Sequence, residues 1–387
     1  MATVEENFTF KQFEQCRSLF QFLDKHFDDY IEELIRICEI PAPTFEEEKR
    51  AEYYARLFQK MGYKANIDDA GNVEIPIHKN GKPRMVLSAH LDTVFPFDEI
   101  RVKREGSLLR APGISDDSSG LAAMYILARA FHETKYPVRG SLTLLATVGE
   151  EGLGNLRGVK HFFERIGEKV DLFISLDGCD SERLVTSGLA SKRIRVFFRG
   201  PGGHSWGDAG TPNPIHASGE FLSRIHRLVL PPNPKTAINV GVISGGTSIN
   251  AIPTEVSMDI DMRSESADSL KALDELVHKA IGECTYNNGT IATESKILGE
   301  RPSGSISPEH DLVRVSLASN RQFSMQAKLD VGSTDSNIPF SLGIPAITLG
   351  VGGRSGKIHT PEEWYDVKGA DKGLKRTALL LAELLNS

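Results

Sequence analysis

Four apolar runs of strand length in this chain lead into residue types that bind metal ions. Residues 85–89 run into His90-Leu91-Asp92, and residues 142–148 into Glu150-Glu151. Residues 172–176 run into Asp177, and residues 345–351 lead through a glycine-rich loop to His359. A further cluster, Gly113-Ile114-Ser115-Asp116-Asp117, lies between the first run and the second. Open α/β sheets place their sites at the carboxyl ends of strands, so residues far apart in the chain would meet along one sheet edge.

The surrounding pattern fits such a sheet. Apolar positions recur at helical spacing over residues 27–39, and Ile40-Pro41-Ala42-Pro43-Thr44 ends that helix. A second helix is expected over about 45–62, and Asp68-Asp69-Ala70-Gly71-Asn72 reads as a hairpin turn. Strands near 85–90, 141–148, 172–177 and 345–350 are separated by helical patterns near 117–133 and 155–166, and a further one fits 366–385. Alternating strand and helix predicts a sheet flanked by helices. The middle of the chain differs. Strand patterns at 191–199, 237–245, 254–262 and 290–297 and helices at 214–229 and 267–283 follow the order β-α-β-β-α-β, a split ferredoxin-like unit. A chain of 387 residues exceeds what one core usually holds, so this unit is expected to be a second domain, inserted at about 188–302.

A net charge of -7 argues against a nucleic-acid partner, which needs a basic face. No apolar run approaches the length of a membrane span. The start of the chain, Met1 to Asn7, is acidic and has no apolar signal core. Cys16, Cys38, Cys179 and Cys284 form no C-x-x-C pair and read as free thiols of a reducing compartment, which gives a cytoplasmic expectation.

Taken singly, the ligand-type residues have ordinary readings. His90 could cap a strand, Asp116-Asp117 could cap the helix that follows, and Asp177 could serve a turn. His359 could be a solvated loop residue. In the functional reading, the Asp92 carboxylate, two residues on along a strand, faces the far nitrogen of His90 and orients the ring. Glu150-Glu151 resist the ordinary reading most, because they follow a run apolar on both faces. As a set, two histidines and three carboxylates suit two divalent ions, with a further glutamate left as a base.

These motifs, together with Ser118-Ser119-Gly120, Gly202-Gly203-His204-Ser205 and His359-Thr360-Pro361, resemble the M20 metallopeptidase family over nearly the whole chain. The resemblance implies an α/β fold: a mixed-sheet, zinc-exopeptidase-like catalytic domain with helices on both faces, and an inserted ferredoxin-like α+β lid. The catalytic domain would comprise residues 1–187 and 303–387, and the lid and dimerisation domain residues 188–302. His90 and Asp177 would hold one metal, and Glu151 and His359 the other. Asp116 would bridge them through a cis peptide bond to Asp117. Glu150 would be the general base, Asp92 the support of His90, and His204 the oxyanion donor. Asn250 and Arg263 would contact substrate, with turn chemistry and a surface charge as their respective alternatives. Asn337, in another loop that resembles the family's, and Arg354, close before His359, could also bind substrate, but helix capping explains the first and solvation the second. The implied cofactors are two divalent ions, zinc first, with cobalt or manganese as alternatives. The implied partners are a small peptide substrate and a second copy of the chain, held through the lid. Aspartate at position 177 is the family's pattern in aminopeptidases and dipeptidases, so the expected activity is peptide hydrolysis of the peptidase T, tripeptide aminopeptidase, type. An N-acyl-amino-acid amidohydrolase or a carboxypeptidase is the alternative. A non-catalytic peptide-binding protein on the same fold would have lost Glu150 or a ligand, and none is lost.

Overall fold

The apolar runs become strands Arg84–His90, Ser141–Thr147, Leu172–Leu176 and Ala346–Leu349 in the computed structural model. The structure describes residues 8–79, 81–166, 169–284 and 290–387, so the reading of Met1 to Asn7 falls outside the described residues. The four strands are parallel neighbours, in the order Ser141–Thr147, Arg84–His90, Leu172–Leu176, Ala346–Leu349. Strands covered on both faces need apolar residues throughout, and this is why the runs are continuous rather than alternating. Antiparallel flanks make the sheet mixed: Val73–His78 pairs with Ser141–Thr147, and Arg183–Gly188 with Ala346–Leu349.

This topology fixes where a site can form. After Arg84–His90 the chain crosses one strand over to Ser141–Thr147, then returns past its start to Leu172–Leu176. Right-handed crossovers in opposite directions put helices Ser118–Glu133 and Arg157–Ile166 on opposite faces. The switch point lies between the carboxyl ends of Arg84–His90 and Leu172–Leu176, where His90 and Asp177 emerge. A separate antiparallel ribbon, Lys103–Glu105, Leu108–Arg110, Trp364–Asp366 and Arg354–Gly356, frames the loop that carries His359.

Contacts divide the chain into two compact units, Met1–Gly188 with Gly304–Ser387, and Leu189–Ser303. Each has its own apolar core. The second unit is a four-stranded antiparallel sheet in the order Thr236–Gly245, Glu255–Ser264, Ala190–Arg199, Ala292–Arg301, with helices Pro214–His226 and Ala267–Glu283 packed on it. Strand Glu255–Ser264 alternates Val256, Met258, Ile260 and Met262 into the core with polar residues facing out, which is the period-2 pattern of a sheet covered on one face.

Some elements carry little signal in the sequence. Strand Lys328–Gly332 is largely exposed, with only Gly332 buried, although it lies parallel to the mostly buried Arg183–Gly188 at the far side of the sheet. Among the described residues no helix is long and apolar enough to cross a membrane.

Candidate metal centre

His90 is the last residue of its strand and is buried. Its Nδ1 lies 2.9 Å from the carbonyl oxygen of Asp92. A carbonyl only accepts, so Nδ1 donates, and Nε2 is turned towards Asp116 Oδ1 at 2.9 Å. The Asp92 carboxylate itself stands 3.8 Å from Nδ1, beyond a hydrogen bond. The chain leaves the strand at His90, so the alternation that would have aimed the two side chains together no longer applies. The carboxylate is used elsewhere. It accepts the N–H groups of Glu150 (2.9 Å) and Glu151 (3.0 Å) and the hydroxyl of Thr44 (2.9 Å). Asp92 therefore orients His90 through its backbone and the two glutamates through its side chain.

Asp116 offers one oxygen to each side. Oδ1 faces His90 Nε2, and Oδ2 lies 3.1 Å from His359 Nε2. The Asp116–Asp117 peptide bond is cis. His359 Nε2 also lies 2.9 Å from Glu151 Oε1, and its backbone sits at φ 62, the left-handed region that non-glycine residues seldom adopt. The potential ligands form three sets with donor atoms within 4.8 Å of one another: His90, Asp116 and Asp177; Asp116, Glu151 and His359; and His90, Glu150 and Glu151. The first two share Asp116, so the structure brings together all five residues read as ligands, with Glu150 beside them.

The electrostatics suit positive ions. Burial, then the charges of Asp116 and Glu151, push the Asp177 carboxyl up to about 7. Burial also pushes Asp117 well above the carboxylate range. Bonds to Asp116 and Glu151 raise His359 to about 10. Burial opposes a charge on His90, yet the bond to Asp116 holds it well above its usual value. Conversely, burial opposes ionisation of Asp116, yet both histidines hold its carboxyl well below the usual range. Buried carboxylates in excess of their cationic partners are costly unless cations join them. Imidazole and carboxylate donors match a borderline divalent ion such as zinc.

The capping expected of Asp116-Asp117 falls to Asp117, which is the N-cap of Ser118–Glu133 and accepts the Gly120 N–H at 3.1 Å. Fully buried, it also accepts the N–H groups of His90 (3.1 Å) and Gly178 (3.2 Å), tying three site segments together. Other supporting residues escaped the sequence reading. Glu363 accepts the N–H groups of Gly113, Ser115 and Asp116, and burial pushes its carboxyl up to about 7. Glu47 accepts the N–H of Gly149 (3.1 Å), next to Glu150, and pairs with Arg157 at 2.6 Å. Thr44-Phe45-Glu46-Glu47 has the S/T-x-x-E spacing of a capping box, a signal that points to a helix start rather than a site. Here both side chains turn to other segments. Thr147 Oγ1 donates to Asp335, again from the end of a central strand.

The remaining candidates divide. In the second unit, Gly203–His204 pairs with Ala251–Ile252, and Ser205 N–H donates to the Asn250 carbonyl at 3.0 Å, so His204 and Asn250 are neighbours. His204 is exposed, and its Nδ1 accepts the N–H groups of Trp206 (3.2 Å) and Gly207 (3.1 Å). A neutral ring so held carries its proton on Nε2. Arg263 is paired across the sheet with Ala237 and Ser191, at the opposite end of its strand from Glu255, and bonds Asp261 at 2.7 Å. It is not brought beside His204 and Asn250. In the first unit, Asn337 is buried and its Oδ1 accepts the Thr334 N–H at 3.0 Å, which is turn chemistry. Arg354 is exposed on the ribbon that leads to His359.

Residues 86–386 match the profile of Peptidase family M20/M25/M40. The cytosol non-specific dipeptidase of Escherichia coli (strain K12) is 27% identical over 276 residues, which are 62% of this chain and 54% of that protein. The succinyl-diaminopimelate desuccinylase of Stenotrophomonas maltophilia (strain R551-3) is 27% identical over 206 residues, 48% of this chain and 54% of that protein. The chain thus spans about half the length of these curated relatives. The aminopeptidase PepT from Bacillus cereus ATCC 10987 superposes with a TM-score of 0.74 at 21% identity, over 92% of this chain and 98% of that one, a likeness of fold.

Proposed function

Since the chain belongs to peptidase family M20/M25/M40, we propose that it is a dinuclear metal-dependent hydrolase that cleaves amide bonds of small peptides, an aminopeptidase of the tripeptidase type. The observation that carries this is the division of Asp116: its two oxygens face His90 and His359, so two ligand sets share one carboxylate. His90, Asp116 and Asp177 would hold one divalent ion, and Asp116, Glu151 and His359 the other. Two such ions, zinc first among the candidates, supply Lewis-acid polarisation of the scissile carbonyl and a nucleophilic water at neutral pH.

The chain's own residues do the rest. Glu150 is the general base: it takes the proton of the attacking water and later delivers it to the leaving amine. Asp92 fixes the backbone that presents Glu150 and Glu151, through N–H bonds of 2.9 and 3.0 Å. His204, with its proton on Nε2, donates to the oxygen on which negative charge develops. Asn250 binds substrate beside His204. The unit holding these two residues is a lid through which two copies of the chain associate. The four cysteines are unbridged and buried, in keeping with a reducing, cytoplasmic setting.

Asp177 and the names of the dipeptidase and aminopeptidase relatives favour a free peptide as substrate. The desuccinylase relatives favour an N-acyl amino acid as the second reading. A hydrolysis panel separates them: di-, tri- and tetrapeptides against N-acetyl amino acids, with zinc, cobalt and manganese. Tripeptide cleavage is expected, and turnover confined to N-acyl substrates would overturn the peptidase reading. Glu150→Gln should keep both metals and lose at least about 100-fold in kcat, the low end of a general base's contribution. Near-native turnover would remove Glu150 from the mechanism.

A further inference from the structure

We propose that Glu363 is a positioning residue that locks the loops carrying Asp116 and His359 into one metal-binding frame. The inference rests on the dinuclear reading above and extends it to a residue that touches neither metal nor substrate. Glu363 is fully buried, four residues beyond His359. Its Oε1 accepts the N–H groups of Ser115 (2.9 Å) and Asp116 (3.1 Å), and its Oε2 that of Gly113 (3.0 Å). Its carbonyl accepts the N–H of Ala111 at 3.1 Å. These four acceptances span the whole approach to Asp116. On its other side, the Glu363 N–H donates to the Thr360 carbonyl (3.1 Å), and the Thr360 N–H to the Lys357 carbonyl (3.0 Å). The turn that holds His359 is therefore closed on the same residue.

Both loops need such a restraint. Asp116 serves two histidines only while its carboxylate plane lies between them, so a rotation of its backbone disturbs both contacts. His359 stands in a left-handed conformation that persists only where neighbours over-determine it. Buried carboxylates that accept several backbone N–H groups hold those groups in fixed directions, and outer-sphere partners of this kind tune metal affinity. The effect is unequal between the two ions. Glu363 steadies two members of the set Asp116, Glu151 and His359, but only one member of the set His90, Asp116 and Asp177.

Zinc titration of the full chain against a competing chelator tests this. Wild type should take up two ions. Glu363→Gln keeps the shape but sets an amide NH2 against a backbone N–H; one ion should weaken by about 10- to 100-fold and the other by less. Glu363→Asp keeps the charge but is one methylene short, and should weaken the same ion. Glu362→Gln, at the exposed neighbour, should change neither. Two ions bound by Glu363→Gln with wild-type affinity would overturn the role of Glu363 and leave the dinuclear reading intact. Wild-type affinity in Glu363→Asp would mean that charge and not span matters, and would overturn the tether. A wild-type chain that takes up fewer than two ions would sink the dinuclear reading first. A measurement free of folding defects is amide exchange in the metal-free wild type: Gly113, Ser115 and Asp116 should be protected, and fast exchange there would overturn the proposal.

Discussion

Single residues in this site hold several segments at once. Asp92, Asp117 and Glu363 each bind backbone groups from segments remote in sequence, so the ligands inherit their directions from buried carboxylates. Sequence spacing names His90, Asp116, Glu150-Glu151, Asp177 and His359 as a set, because each follows or closely adjoins an apolar run; the division of Glu151 as ligand from Glu150 as base comes from the family resemblance. It aims the Asp92 side chain at His90, which fails because strand alternation stops where the strand stops. It is silent on Glu363, because a carboxylate that accepts backbone N–H groups has no spacing rule. Replacing Asp116 with Asn leaves one ligating oxygen; zinc content by mass spectrometry should fall below two per chain. Away from the site, Arg84 donates to Asp171 through its backbone N–H (2.8 Å) and its guanidinium, and this holds the Asp171 carboxyl down at about 2. A depressed carboxyl stabilises the fold above its unfolded value and loses that contribution as pH falls through the folded one. Asp171→Asn should therefore melt below wild type at pH 7, with the gap closing between about pH 4 and pH 2. A constant gap across that window would contradict the ion pair's contribution.

At the level of elements, the carboxyl-terminal helix decides where the His359 loop can run. In helix Ala370–Leu385, a Cβ on Gly373 would lie 1.9 Å from the Val351 carbonyl oxygen. One turn on, the buried Arg376 donates to the Gly350 carbonyl and to Asn320 Oδ1 (2.9 Å). Gly352 thus serves close packing of loop on helix, while a Cβ on Gly350 would meet the Asp180 backbone and one on Gly353 would meet Asp366 and Tyr365; composition alone cannot distinguish such packing from a flexible loop. Gly373→Ala should lower stability by about 1–3 kcal/mol or more, as overpacking does, and loosen zinc through the displaced loop. Denaturant titration and chelator competition on the same variant check both, and unchanged values would mean that the helix does not set the loop. The central strands and their helices are legible from periodicity because burial on both faces leaves a continuous apolar run. Strand Lys328–Gly332 is not, because its backbone pairs with Arg183–Gly188 while Lys328, Leu329 and Asp330 stay exposed, which leaves no apolar pattern to read.

For the whole molecule, two separate cores predict two separable responses. All the proposed metal ligands lie in the unit Met1–Gly188 with Gly304–Ser387. Ions that bind only the native state stabilise that unit, by about 2.7 kcal/mol for each site at a hundredfold excess over Kd. Calorimetry with and without EDTA should show a transition that falls on chelation and one, from Leu189–Ser303, that does not. Equal shifts in both would mean that the units unfold as one. The sequence by itself determined the alternation of strand and helix, the β-α-β-β-α-β order of the insert, and the residue types available for metal and proton chemistry. These follow from local periodicity and side-chain chemistry, which are properties of short stretches. Only the tertiary structure decided that the Asp92 carboxylate serves Glu150 and Glu151, that Asp117 also holds His90 and Gly178, and that Glu363 spans two loops. Those are hydrogen bonds between segments up to some 250 residues apart, and their directions exist only once the sheet has set the loops side by side.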